Sequence, residues 1–244
     1  MDKSLEKKVN FLMAYAFVTT LILAAFIFMS FSPARKLLQL EELELKKITI
    51  VGEDHKPRMV LSNETRQHPG RMDGKELSPR ERPAGILFFN DAGDECGGLV
   101  YQVKDNAGKI ISGMSFTMDN YRDDQVIQIV NDEYYDNGQS NIERGLKINQ
   151  YPAGTTMTSR NRKIAEASSI ADESERNARL NALWEAEGPV NRLFIGRTRG
   201  NSAGLFLAGP DGKPKMMIYV DEKGDPKIQT FTDDGEVRDL LQAK

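Results

Sequence analysis

The stretch "NDAGDECGG", Asn90 to Gly98, gathers Asp91, Asp94, Glu95 and the chain's single cysteine, Cys96, among three glycines. Such side chains could bind a hard cation, exchange a proton or, through the thiolate, attack an electrophile. The spacing fits none of these well. A helix–loop–helix calcium site needs alternating oxygen ligands around a central glycine and a bidentate glutamate at the twelfth position; Asp91 and Asp94 do not stand at those intervals. Cys96 has no histidine partner at short range, and the chain holds only two histidines, His55 and His68. The sequence therefore points to no catalytic residue, no cofactor and no metal site. A second acidic group, Asp123 and Asp124 in "YRDDQ", stands beside Arg122. With Asp91, Asp94 and Glu95 it forms the alternative reading: an envelope enzyme or ligand-binding module that works through carboxylates.

The elements that must hold these residues are strands and turns. "KITIV", "RMVLS", "GILFF", "GGLVYQV", "KIISGMSFTM", "DQVIQIV", "GLKINQY", "NRLFIGR", "AGLFLAG", "KPKMMIYVD" and "PKIQTFTD" are short runs rich in β-branched and aromatic residues. "NDAG", "DNAG", "GPDG", "DEKG" and "TDDG" separate several of them. Each offers a glycine for positive φ and an Asp or Asn to bond the turn backbone. "GEDHKPRMVL" from Gly52 and "GPDGKPKMMI" from Gly209 repeat one another in phase, with His55 in the slot of Gly212. This internal echo predicts a meander of hairpins and makes "NDAGDE" a turn. Gly97 and Gly98 exceed what a turn needs. They mark a bulge or a close backbone approach, to a neighbouring strand or to another subunit. The polar stretch from Asn63 to Pro83 lacks periodicity and reads as a loop.

Two segments depart from this pattern. "FLMAYAFVTTLILAAFIFMSF", Phe11 to Phe31, has no charge and no proline, and is long enough to cross a bilayer. It exceeds the apolar run of a cleaved signal and lacks an Ala-x-Ala site, so a retained anchor is expected. Lys3, Lys7 and Lys8 nearly balance Arg35, Lys36, Lys46 and Lys47 across the span. The short amino tail favours an N-in orientation, with the following domain outside the cytoplasm. The second segment, Ser159 to Glu187, is rich in Ala, Glu and Arg. It predicts one long helix or two short ones, with Leu180, Leu183 and Trp184 docked on the sheet and Gly188–Pro189 as the stop.

The expected organisation is a tail over 1–10, a transmembrane helix over 11–32, a stalk or linker over 33–46, and a β-rich soluble domain over 47–244. The last contains a helical insertion at about 159–187. Leucines 37, 38, 40 and 45 suggest a helical stalk or an amphipathic linker. The fold class is mainly β: a transmembrane helix followed by a meander or hairpin stack. Removing the first 32 residues takes away three lysines and two acids, leaving 30 basic against 34 acidic residues. A mildly acidic domain without a basic stripe argues against nucleic acid.

"ITIVGEDHKPRMVLSNETRQHPG", "RPAGILFFNDAGDECGGLVY", "DDQVIQI" and "GLFLAGPDGKPKMMIYVDEKGDPKIQ" resemble a group of uncharacterised bacterial membrane-anchored proteins with the same order of segments. The resemblance implies a bacterial source and one integral domain, and carries over no functional residue. The expectation is a single-pass structural or interaction subunit of the bacterial envelope, inserted in the lipid bilayer through residues 11–32. It would be non-enzymatic and homo-oligomeric, and could contact other envelope proteins.

Overall fold

In the computed structural model, residues 3–30 and 39–241 are described, and the chain divides into two compact units, Met1–Glu44 and Leu45–Lys244. The first unit holds helix α1 (Lys3–Ser30), which is long and apolar enough to cross a membrane. The helix starts at Lys3, so the expected separate tail is largely its first turns. Positions 31 and 32 of the expected span, and Leu37 and Leu38 of the expected stalk, lie outside the described residues. Residues 39–46 contain no helix, which corrects the helical-stalk reading over that range. One or two heptads do not offset the cost of nucleating an isolated helix.

The second unit is mainly β. Twelve strands form one antiparallel sheet. Its elements are β1 (Lys47–Val51), β2 (Pro57–Ser62), β5 (Ala84–Phe89), β6 (Glu95–Asn106), β7 (Lys109–Asp119), β8 (Gln125–Asp136), β9 (Gln139–Gln150), β10 (Val190–Arg197), β11 (Ala203–Ala208), β12 (Pro214–Val220), β13 (Pro226–Phe231) and β14 (Val237–Asp239). Their order in the sheet is their order in the chain, so it is a meander throughout. A small hairpin, β3 (Arg71–Met72) with β4 (Lys75–Glu76), interrupts it between β2 and β5.

The turns explain the echo in the sequence. In "GEDHK", "NDAGD", "TRGNS", "GPDGK", "DEKGD" and "TDDGE" the first residue donates to the carbonyl of the fifth, and the fourth donates back to the first. The fourth residue has positive φ in each, whether glycine, His55 or Asn201. An Asp, Asn or Thr side chain within each turn accepts a backbone N–H, as Asp211 does from Lys213 at 3.1 Å. The hairpins β6–β7 and β8–β9 instead close through two residues each, Ala107–Gly108 and Asn137–Gly138, all with positive φ. That tighter turn matches the twist of the strands it joins, which run to eleven or twelve residues. β8 and β9 thus extend through "NDEYYDNGQSNIER", beyond the expected strands.

Cross-strand partners share a face, so the register assigns the sheet's two sides. On one side, Ile48, Leu61, Ile86, Leu99, Phe116 and Ile129 stand opposite one another from β1 to β8. Leu146, Ile195, Leu205, Ile218 and Ile228 continue the same row to β13. On the other side lie Val60, Leu87 and Phe89, the buried core cluster, with Val100 packed on it. Further along that side, Phe194, Phe206 and Tyr219 stack on one another over glycines. Gly145 faces Gly196, and a Cβ on either would run into the carbonyl of the opposing strand.

Segment 63–83, expected as a plain loop, is an ordered cover for this core. His68 stacks edge-on against Phe89 at 4.9 Å, Met72 is buried, and Gln67 Nε2 donates to the carbonyls of Pro83 and Gly85. Its order comes from polar ties, which leave no apolar period to read. The helical insertion is two helices, α2 (Met157–Ser168) and α3 (Glu173–Glu187), capped by Thr156 and Asp172 and ended by Gly188. Docking of Trp184 on the sheet is corrected: Trp184 is 49% exposed, and α3 has no buried residue. α2 and α3 pack chiefly on each other.

Candidate functional site

Two places carry more than turns and packing require: one end of the sheet, where acidic residues collect, and the aliphatic face.

The turn Asn120–Asp124 lies at the first of these. It keeps the hydrogen bonds of its relatives but puts positive φ on Arg122, its third residue. Asp123 is wholly buried and makes a bidentate pair with Arg160 of α2. Thr155 Oγ1 also donates to it, at 3.3 Å. Arg160, itself buried, donates to the carbonyl of Glu187 and lies over the Tyr151 ring at 4.7 Å. This constellation fastens α2 to the sheet end through planar guanidinium geometry. Burial, with Asp124 nearby, pushes the Tyr151 phenol up to about 12.

Asp119, at the end of β7, was not singled out from the sequence. Its Oδ1 is buried and has no hydrogen-bond partner among the described residues. Burial, then the charges of Glu95 and Asp124, push its carboxyl up to about 7, against the opposing pull of Arg82. It faces the same side as Thr117 and Ser115, so strand alternation was the signal that could have placed it inward. An acid held protonated near neutrality can donate or take a proton.

The sequence-selected acids have separate duties. Asp91 is exposed, 3.8 Å from Arg58. Asp94 is buried and accepts from the Gly74 N–H at 2.9 Å. Glu95 takes two bonds from Arg82, at 2.6 and 2.8 Å. Asp124 accepts from the Gln125 N–H. Burial, then the charges of Asp119 and Glu95, raise the half-buried Cys96 thiol, which disfavours the reactive thiolate. Among the described residues, no three His, Cys, Asp or Glu side chains gather to hold a metal ion. A groove of about 950 Å³ lies between residues 79–84 and Tyr101–Lys104, and Asp119 does not line it.

Gly97 and Gly98 lie within β6, paired on both sides by β5 and β7. A Cβ at Gly97 would meet the Thr117 carbonyl oxygen, and one at Gly98 that of Ile86. Their close approach is made to strands of the same chain, and neither glycine borders a free edge.

The aliphatic face is the second place. None of the eleven residues in its row is buried, and Ile129 at its centre is 54% exposed. A parallel row carries Ile50, Met59, Phe88, Met118, Ile127, Ile148, Leu193, Leu207 and Met216, with Gly97 and Thr230 as its departures. With strands about 4.8 Å apart, the rows run roughly 50 Å along the sheet. Asn131, Glu133 and Arg144 form a hydrogen-bonded group on the same face, beside the rows. Apolar rows beside a polar group fit a protein-binding surface.

Compared with protein families, with curated proteins and with solved structures, the chain matches none.

Proposed function

We propose that the chain is a single-pass, membrane-anchored interaction subunit of the bacterial envelope, with its sheet domain outside the cytoplasm. The observation that carries this is the aliphatic face. Large apolar side chains stand along it, and none of the eleven in its row is buried. Soluble surfaces rarely expose a contiguous apolar ribbon of this length, and such surfaces bind protein or membrane. α1 supports the anchoring, and the short amino tail supports the orientation.

The test is purification of the full-length protein in mild detergent, with mass spectrometry of what accompanies it, beside a variant carrying Ile129→Glu and Ile195→Glu. Partners should accompany the native chain and be lost from the variant. Equal recovery from both would overturn the role of the face. Protease added to intact spheroplasts should digest the sheet domain; protection until lysis would reverse the orientation.

Asp119 supports a second reading, a ligand-binding module or enzyme at the acidic end of the sheet. A folded Asp119→Asn protein that keeps its partners yet loses its phenotype would favour this reading over the first.

A further inference from the structure

We propose that β1 pairs with β1 of a second copy, so that two sheets join across a two-fold axis into one. This rests on the interaction-subunit reading and names its partner as the chain itself.

β1 is an outermost strand, and all five of its residues are exposed. The Lys46 carbonyl accepts from Asn63, and the Gly52 N–H donates to Lys56. The even-numbered residues therefore turn their backbone groups toward β2. By the alternation of an antiparallel pair, Lys47, Thr49 and Val51 direct theirs outward. An open, apolar edge of this kind is a template for another strand. The opposite edge is blunted: β14 has three residues, two of them Arg238 and Asp239.

The sequence of β1 is self-complementary about Thr49. An antiparallel copy centred there places Thr49 opposite Thr49, Lys47 opposite Val51, and Ile48 opposite Ile50. The residues with outward N–H and C=O then fall in the hydrogen-bonded pairs, as the pattern demands. No like charges meet within the strand. The aliphatic rows, which begin at Ile48 and Ile50, continue into the partner on the same face. The axis is perpendicular to the sheet at β1. Two copies anchored in one bilayer with the same orientation require that axis to run along the membrane normal. Anchoring also confines both copies to a plane and raises their effective concentration.

The test uses full-length protein in membranes, in a Cys96→Ser background. In a hydrogen-bonded antiparallel pair, opposed Cα atoms are about 5.5 Å apart, within disulfide reach. Thr49→Cys should give a disulfide-linked dimer as the main species under mild oxidation. Val51→Cys alone should not, since its two copies would be roughly 14 Å apart. Val51→Cys mixed with Lys47→Cys should cross-link. Thr49→Pro removes only an outward N–H, so it should abolish dimers in detergent while far-ultraviolet circular dichroism stays native. Three results would overturn the proposal: no cross-link at Thr49 in folded protein, equal cross-linking at all single positions, or a cross-link between Thr49→Cys and Arg238→Cys, which marks a head-to-tail ring. If the Thr49 cross-link fails while partner recovery still depends on Ile129 and Ile195, the pairing is wrong and the interaction-subunit reading stands. If the cross-link forms and those substitutions change nothing, the pairing stands without the face.

Discussion

Asp119 and Asp123 lie four residues apart and show two outcomes for a buried carboxylate. Asp123 is matched by Arg160, while one oxygen of Asp119 has no partner among the described residues. For Asp119 the folded-state value, about 7, lies above the ordinary 3.8. The folded state thus holds a proton that the unfolded state releases, and stability falls as pH rises from about 4 through 7. Asp119→Asn should remove that slope. At pH 8 it should be more stable than the native protein by roughly 2–4 kcal/mol, as read by urea denaturation across pH. An unchanged slope would show that Asp119 ionises freely. For Arg160→Met the sign is opposite. It leaves Asp123 charged and enclosed, and should cost about 3–5 kcal/mol; adding Asp123→Asn should recover much of that loss, by the same measurement.

At the scale of elements, the turns are one device repeated and the helical insertion is the exception. Two polar caps and one buried arginine hold α2 and α3, with little apolar docking. Trp184→Ala should therefore cost less than about 1 kcal/mol in denaturation, well below the 3–5 kcal/mol of a buried aromatic. A larger loss would mean that Trp184 packs on something the isolated chain lacks. His68 belongs to this scale as well. Its Nδ1 accepts from the Gly70 N–H at 3.0 Å, and burial lowers its pKa, so the ring stays neutral while it holds the cover over Phe89.

For the whole molecule, the single-layer sheet leaves one face with no cover among the described residues. Burying apolar surface stabilises by about 25 cal/mol per Å², so a face of this size favours association. Ile129→Glu with Ile195→Glu should reduce binding of an apolar fluorescent dye to the purified protein by more than half, with native circular dichroism. Unchanged dye binding would place the exposed apolar surface elsewhere.

Strand identity, turn chemistry, the apolar span and the mainly β class were legible in the residues, because alternation, glycine at positive φ and hydropathy are local properties. "NDAGDE" reads as a turn for the same reason. The partners of its acids were not legible: Arg82 reaches Glu95 across 13 positions, and Arg160 reaches Asp123 across 37. No local pattern encodes such distances. Alternation also shows that a strand has two sides without showing which is covered. That depends on where segment 63–83 and the helices come to rest, and their positions follow from polar ties with no period. The aliphatic row itself follows from register, which each turn sets by one residue at a time. Only the folded sheet lines up Ile48 through Ile228 on one side.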